Sequence, residues 1–553
     1  MAPDEATLDR FPTLTAPQLA RVRAASEPFD VGPDGVLYRA GELDYDFVLV
    51  EEGDVDIVLE PVPGAAPEVI VTIGPGAFLG ELNMFTGQAA YLTARMPKGG
   101  RIQRMARDRF LRLMSEDTEL SDLVLRAFMA RRIFLRDGDG ARALEIVGSS
   151  HSGDTLKLRN WASRLALPHT WVDADGDAGR DLLAAVGATA AELPVVVSAT
   201  GVLRRATPGV LAEHLNLSYR PRATTTVDLV VVGGGPAGLA AAVYGASEGL
   251  DTVLVEGVAV GGQAAMSSRI ENYLGFPAGL SGNELTARAL VQAQKFGAQV
   301  SSPCESVALG AGDGQLVVSL HDGTQIPTHA VVVATGARYR TLALERWDEF
   351  EDNGIYYAAT ELEARACAGA DAEVVVVGGA NSAGQAAIFL AGKGSGVQLV
   401  VRADDLAKGM SSYLVERIEA EERISVRLRS EVVAVDGDGG LDSVVLADRG
   451  TGTEHRLACA GLFCFIGAVP ATAWLDGVHL DRSGFVVTDT ALPRGHIHRG
   501  YSLLGREPLP FETSMPGVFA AGDVRAGSVK RVAAAVGEGS STVRSVHQAI
   551  GGQ

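Results

Sequence analysis

One segment constrains this chain more than any other: DLVVVGGGPAGLAAAVYGASEGLDTVLVEG, starting at Asp228. An apolar run enters a glycine-rich turn, a helix of small residues follows, and a second apolar run ends on Glu256. The turn sets Gly233, Gly235 and Gly238 at the spacing G-x-G-x-x-G. The first allows the tight turn, the second lets backbone approach a pyrophosphate, and the third lets helix and strand pack closely. Pro236 and Ala237 stand at the helix start, whose free amides and positive end favour a phosphate. Glu256 ends the second strand, where a carboxylate can accept the protons of both ribose hydroxyls. A glycine triplet alone is weak evidence. Here strand, turn, helix and acid fall in register, and together they dictate a parallel α/β sheet that binds a dinucleotide.

At 553 residues the chain is too long for one core, and roughly three or four domains are expected. The 68 acidic against 48 basic residues give a net charge of −20, which repels phosphate backbones, so no nucleic-acid partner is expected. No apolar run approaches the ~20 residues that span a bilayer. The opening MAPDEATLDRF has early acids and no apolar stretch, so no signal peptide is expected. The four cysteines, Cys304, Cys367, Cys459 and Cys464, are too few and scattered for a disulfide framework. A cytoplasmic setting fits them best.

Ahead of the dinucleotide segment the pattern changes twice. From about Phe29 to Leu111 short runs alternate apolar and polar residues between glycines and prolines, which predicts an antiparallel β-roll. LSDLVLRAFMARRIFLRD then has the spacing of an amphipathic helix. From Leu144 to Leu217 strand, helix, strand, helix and strand succeed one another, a small α/β domain. SYRPRATTTV reads as a linker to the parallel sheets beyond it.

Near the other end, GVFAAGDVR delivers Asp523 at the close of a short strand, where its carboxyl can meet a ribityl chain. VVVGGGPAGLAAA, GGQ, IENYLGFP, VVVATGARYR, FIGAVP and MPGVFAAGDVRAGSVKRVAAAVGEG follow one another in this order. The stretch from about Thr226 to Gly551 therefore resembles the low-molecular-weight thioredoxin reductases. That resemblance implies a homodimer whose FAD domain, 226–341 and 466–553, is interrupted by an NAD(P)H domain, 342–465. It carries FAD binding over to Gly233, Gly235, Pro236, Ala237, Gly238 and Glu256 in the first half. It also carries it to Gly262, Gln263, Asn272 and Gly336, and to Gly522, Asp523, Lys530, Arg531 and Val532 in the second.

EVVVVGGANSAGQAAIFLAGKGSGVQLVVRADDL repeats the strand-turn-helix-strand plan. Gly378, Gly379, Asn381, Ser382 and Ala383 would form its phosphate turn, with Ala380 where relatives carry glycine. A methyl group there crowds the closest approach to the pyrophosphate and weakens binding. Arg402 ends the next strand, where an arginine contacts a 2′-phosphate, so NADPH is weakly preferred over NADH. Asp404 and Asp405 follow it.

Thioredoxin reductases also carry a Cys-x-x-Cys in the inserted domain. Alignment on Gly354 sets Ala358 and Glu361 at those positions, and neither supports thiol–disulfide exchange. Cys459 and Cys464 lie in ACAGLFCFIG, an extended run in which an offset of five predicts opposite faces and buried, inert side chains. The small α/β domain, 142–218, resembles thioredoxin through ELPVVV, with Pro194 before a strand, yet contains no cysteine. His151, near the place of thioredoxin's own thiols, is given no catalytic role.

EEGDVDIVLE and IGPGAFLGELNMFTGQAAYLTARM resemble a cyclic-nucleotide-binding domain, 1–138. Gly80, Glu81 and Leu82 match the start of its phosphate cassette. The phosphate-pairing arginine aligns with Ala90, and Arg95 is an odd number of residues away. A structural or docking module is favoured over a cyclic-nucleotide receptor, which stays open.

The reading is thus an α/β protein with two Rossmann-like domains behind a β-roll and a thioredoxin-like domain. It passes electrons from NAD(P)H through FAD to an acceptor that is not a disulfide: a quinone, a small molecule, oxygen, or a ferredoxin or flavodoxin. Glu361 is the candidate proton donor, against the alternative of a plain surface carboxylate. A disulfide reductase, and a flavin- or nucleotide-responsive sensor or scaffold, are the rival readings.

Overall fold

The computed structural model describes residues 10–551 apart from 61–65, 82, 150–151, 222–225, 268–269, 271–272, 313–314, 352–353, 358, 360–363, 365–366, 368–372 and 439. Two compact units result: Met1–Gly336 with Thr472–Asp481 and Val486–Gln553, and Ala337–Ala471 with Arg482–Phe485. No helix of the described residues is long and apolar enough to cross a membrane.

The first unit begins with helix α1 (Ala16–Ala24) and eight antiparallel strands: β1 (Glu27–Val31), β2 (Gly35–Tyr38), β3 (Phe47–Glu52), β4 (Val55–Leu59), β5 (Glu68–Ile73), β6 (Phe78–Leu79), β7 (Thr93–Met96) and β8 (Gly100–Met105). They form two four-stranded sheets, β1-β8-β3-β6 and β2-β7-β4-β5. A short helix, α2 (Asn83–Thr86), interrupts the roll, and α3 (Arg107–Glu116) and α4 (Thr118–Asp137) close it. Phe47 and Phe78 of the strands pack against Phe110 of α3 and Phe128 of α4, with ring centroids 5.2–6.1 Å apart. The amphipathic pattern of α4 is explained by this seal.

The next module holds β9 (Leu144–Gly148), α5 (Gly153–Arg164), β10 (Thr170–Asp173), α6 (Asp177–Ala185), β11 (Val195–Ser198), β12 (Gly201–Leu203) and α7 (Pro208–His214). Its sheet order is β10-β9-β11-β12, with β9 and β10 parallel and the others antiparallel. The peptide bond before Pro194 is cis. This is the thioredoxin-like topology expected from ELPVVV.

The largest sheet follows, in the order β15-β14-β13-β18-β17-β16 with β29 beside β18. Its strands are β13 (Val227–Val232), β14 (Thr252–Val255), β15 (Gln299–Ser301), β16 (Ser306–Gly312), β17 (Gln315–Leu320), β18 (Gln325–Val333) and β29 (Val518–Ala520). Helix α8 (Pro236–Ser247) links β13 to β14, and α9 (Gly282–Lys295) precedes β15. A one-turn helix, α13 (Gly500–Leu504), comes before β29, and the last helix, α14 (Val532–Gly551), crosses α8 where a Cβ on Gly539 would stand 2.0 Å from the Ala237 carbonyl oxygen. The valine-rich runs of β13 and β18 are buried on both faces, as parallel strands covered by helices must be.

The second unit starts with β19 (Ala337–Tyr339), α10 (Trp347–Phe350) and β20 (Ile355–Tyr356). Its parallel sheet, β20-β27-β21-β22-β23, uses β21 (Glu373–Val377), β22 (Gly396–Val401), β23 (Ile424–Leu428) and β27 (Gly461–Cys464). Helix α11 (Asn381–Gly392) joins β21 to β22, and α12 (Ser412–Glu419) leads to β23. An antiparallel trio, β24 (Ser430–Asp436), β25 (Ser443–Asp448) and β26 (Glu454–Ala458), and the strand β28 (Ala468–Pro470) paired with β19 complete it.

Candidate dinucleotide sites

The turn between β13 and α8 has the shape its glycines require. Gly233 has φ +108°, and a Cβ there would lie 2.4 Å from the Ala334 carbonyl oxygen. A Cβ on Gly238 would come within 1.8 Å of the Gly233 oxygen, so helix and strand touch through bare backbone. Gly235 is different. Its backbone is extended, with φ −73°, and a Cβ would meet nothing nearer than the Cα of Gly262 at 4.0 Å. Neither strain nor packing demands glycine there. The space it leaves lies at the uncapped start of α8, where the first-turn amides lack intrahelical partners. A pyrophosphate fits that cradle.

Glu256 borders it. Its Oε2 accepts from the Gly234 amide at 2.7 Å and its Oε1 from the Val258 amide at 2.8 Å. A carboxylate has about four acceptor positions, so ribose hydroxyls can still be taken. The Gly261–Gly262 turn closes the far side, with the Gly261 amide donating to the Gly234 oxygen at 2.8 Å. Gln263 beside it is exposed. Gly336 adopts φ +69° with open space around it.

Gly522 and Asp523 arrive at the end of β29. Gly522 has φ +76°, and a Cβ would press on that of Ala237 at 2.8 Å. Burial pushes the Asp523 carboxyl above its usual range, Lys530 pulls it down, and Glu538 adds to the rise. Lys530 and Arg531 are exposed and Val532 half-buried where α14 begins.

A group that sequence reasoning missed holds this turn. Glu538 of α14 accepts from the Gly522 amide at 2.8 Å, Arg525 Nε at 3.0 Å and Arg525 Nη2 at 2.6 Å. The bidentate pair is mostly buried, and with the Gly522 amide it ties down the chain on either side of Asp523.

The second turn follows the same plan with less room. Gly378 has φ +148°, and a Cβ would lie 2.5 Å from the Phe465 oxygen. Ala380 caps α11 in extended backbone, φ −109°, so its methyl causes no strain and projects where Gly235 leaves space. A Cβ on Gly379 would stand 3.0 Å from Val401 Cγ1. Asn381 Oδ1 already accepts from Ser411 N at 2.8 Å and Oγ at 3.1 Å. Ser382 is exposed, while the Ala383 side chain is in the core, leaving only its amide for a ligand. Arg402 is exposed, and Asp404 is drawn off by Lys408 at 2.6 Å. Asp405 caps the Ala407 amide at 2.9 Å.

A family profile described as pyridine nucleotide-disulphide oxidoreductase matches residues 227–539. The chain belongs to this family. It is a FAD-dependent NAD(P)H oxidoreductase. Among relatives, a thioredoxin reductase of Treponema pallidum is 33% identical over 318 residues, 57% of this chain and 94% of the relative. Those of Neurospora crassa and Streptomyces clavuligerus are 34% and 32% identical, over 56% and 57% of this chain and 90% and 91% of theirs. Residues 29–117 match the profile of the cyclic nucleotide-binding domain.

Cys304, Cys459 and Cys464 of this oxidoreductase are free thiols. Burial pushes Cys304 up to about 12, Cys459 up to about 12 and Cys464 up to about 11. The expectation that Cys459 and Cys464 face opposite ways is corrected. Strand β27 starts only at Gly461, so alternation does not reach back to Cys459, and both side chains enter one apolar cluster. Cys367 is buried in another. Among the described residues no cluster of side chains could hold a metal ion. Ala358, Glu361, Asn272, Leu82 and His151 lie outside the described residues.

In the oxidoreductase's roll, Gly80 has φ +130° and Ala90 is buried. Arg95 stays on β7, its Nε buried without a partner. The guanidinium beside the cassette comes instead from α4, far along the chain from Gly80. Arg131 donates to the carbonyl oxygens of Arg10, Gly80 and Phe78 at 2.9, 3.0 and 2.9 Å. Glu81 is buried with Oε2 unpartnered. Burial raises its carboxyl above 4.5, with Arg132 and Arg131 opposing. The buried hydroxyls of Tyr38, Tyr45 and Tyr91 feel its charge, which raises each of them further. A carboxyl raised on folding binds more protons folded than unfolded, so its cost is absent below the unfolded value and grows as pH rises past it. Glu81→Gln should therefore raise the thermal midpoint by a few degrees at pH 8, and the gain should vanish near pH 4, as calorimetry at both values would show.

Proposed function

We propose that this oxidoreductase passes electrons from NAD(P)H through FAD to an acceptor other than a disulfide. The state of the thiols carries the reading. No two cysteines have the Cys-x-x-Cys spacing, and burial keeps Cys304, Cys459 and Cys464 protonated, whereas a thiolate is what attacks a disulfide. A quinone, another small molecule, oxygen, or a ferredoxin or flavodoxin is the acceptor class, and Glu361 the proton donor.

FAD, when bound, supplies the two-electron chemistry. The chain's own part is positional. Gly233, Gly235 and the start of α8 would hold the pyrophosphate, Glu256 the ribose, and Asp523 the ribityl chain. Gly378, Gly379, Asn381 and Arg402 would hold NADPH in preference to NADH. Residues 226–341 with 466–553, and 342–465, are the two binding domains, joined in a cytoplasmic homodimer. The roll, which shares a profile with cyclic-nucleotide binders, serves as a docking module.

Anaerobic titration tests this. NADPH should bleach the visible flavin band, and more tightly than NADH. A band left unbleached by both would leave only a scaffold. The methyl of Ala380 gives a second expectation. Ala380→Gly should lower the KM for NADPH about threefold or more with little change in kcat, since it reopens the closest approach to the pyrophosphate. The names of the relatives favour a second reading, a thioredoxin-disulfide reductase. It requires a thiol pair that reacts at neutral pH.

A further inference from the structure

In the second unit two neighbouring strands of the parallel sheet run out onto arginine. β22 leads into Arg402, and β23 is followed by Arg429. The register pairs Val401 with Leu428, so the two arginines come next on adjacent strands, whose spacing is about 4.8 Å. The Arg429 amide donates to the Ala403 oxygen at 2.9 Å, which holds it against the residue after Arg402. The loop beyond Arg402 folds back on the phosphate turn. A Cβ on Gly409 would stand 2.6 Å from the Gly379 oxygen, and the Ser411 amide donates to Asn381 Oδ1. Both arginines are exposed.

Arg429 stands where its backbone favours another residue. Its φ is +52°, in the left-handed region that suits glycine or asparagine. The Arg449 amide donates to its oxygen at 2.7 Å, so the backbone is tied at both of its groups. No carboxylate takes the side chain. Asp404 pairs with Lys408 at 2.6 Å, and Asp448 at the end of β25 accepts the amides of Gly450 and Thr451 at 2.8 and 2.9 Å. Lys408 holds the Asp404 carboxyl below its usual range, and the Thr451 amide does the same for Asp448; Arg429 adds only a minor pull on each. Among the described residues Arg429 forms no ion pair within 4.0 Å.

We propose that Arg429 supplies a second guanidinium, beside Arg402, for the ribose 2′-phosphate of NADPH. This rests on the reading that the second turn holds NAD(P)H. A phosphate monoester carries nearly two negative charges, of which one arginine balances about half. The strand end that carries Arg402 offers no second arginine before Lys408, which Asp404 already takes. The adjoining strand end supplies it.

Calorimetry on the full chain tests this with adenosine 2′,5′-bisphosphate and 5′-AMP, which differ only in the 2′-phosphate. The unaltered chain should bind the bisphosphate about tenfold or more tightly than 5′-AMP. Arg429→Asn removes the charge and installs a residue that left-handed backbone accepts, so the fold is kept. It should weaken the bisphosphate about tenfold and leave 5′-AMP within about twofold. An Arg429→Asn chain that binds both probes as the parent does, or loses both equally, would overturn the role of Arg429 alone. Equal binding of the two probes by the unaltered chain, or binding of neither, would overturn the NADPH preference and this inference with it.

Discussion

A Gly235→Val chain should fold as the parent does and emerge colourless. The two halves of that outcome have different causes. Gly235 is extended, at φ −73°, and its nearest neighbour beyond the adjoining chain is 4.0 Å away. Valine at a helix N-cap costs about 1 kcal/mol relative to glycine, too little to unfold a unit this size. The side chain would instead fill the cradle over the amides of α8. FAD occupancy should fall more than about tenfold, since backbone can no longer reach the pyrophosphate. Thermal melts of the two proteins, both stripped of flavin, should nearly coincide. A Gly235→Val protein that retains full flavin would show that the cradle is not where the dinucleotide sits.

The second large effect is structural. Glu538→Leu should lower the melting midpoint of the first unit by roughly 3–4 °C, from about 3 kcal/mol lost in a unit of this size. The substitution leaves Arg525, 19% exposed at its side chain, without its carboxylate, and frees the Gly522 amide. Asp523 lies between these two residues, so flavin should also leave more readily on dilution. Calorimetry and gel filtration in flavin-free buffer check both. An unchanged midpoint would mean that the pair is screened by water despite its burial.

These two predictions also mark what the sequence could disclose. Gly233, Gly238 and Glu256 were legible because the tight turn, the close packing and the strand-end acid are backbone requirements tied to fixed spacing. The valine runs of β13 and β21 were legible because strands buried on both faces tolerate little else. Glu538 was not. It reaches back to a turn through tertiary placement of α14, and nothing periodic links it to Arg525. The same limit applies in the roll. Spacing within the cassette points to an arginine near Ala90, yet the guanidinium comes from Arg131, 51 residues beyond the Gly80 oxygen it binds. Parity misjudged Cys459 and Cys464 because alternation holds only inside a strand, and β27 begins between them.

The most direct measurement is reoxidation after anaerobic reduction. Full-length protein reduced by one equivalent of NADPH would be mixed separately with oxidised thioredoxin and with a small quinone, following return of the flavin band. The account predicts rapid return with the quinone and a band that stays bleached with the disulfide. Reoxidation by thioredoxin at a rate matching the quinone would contradict it.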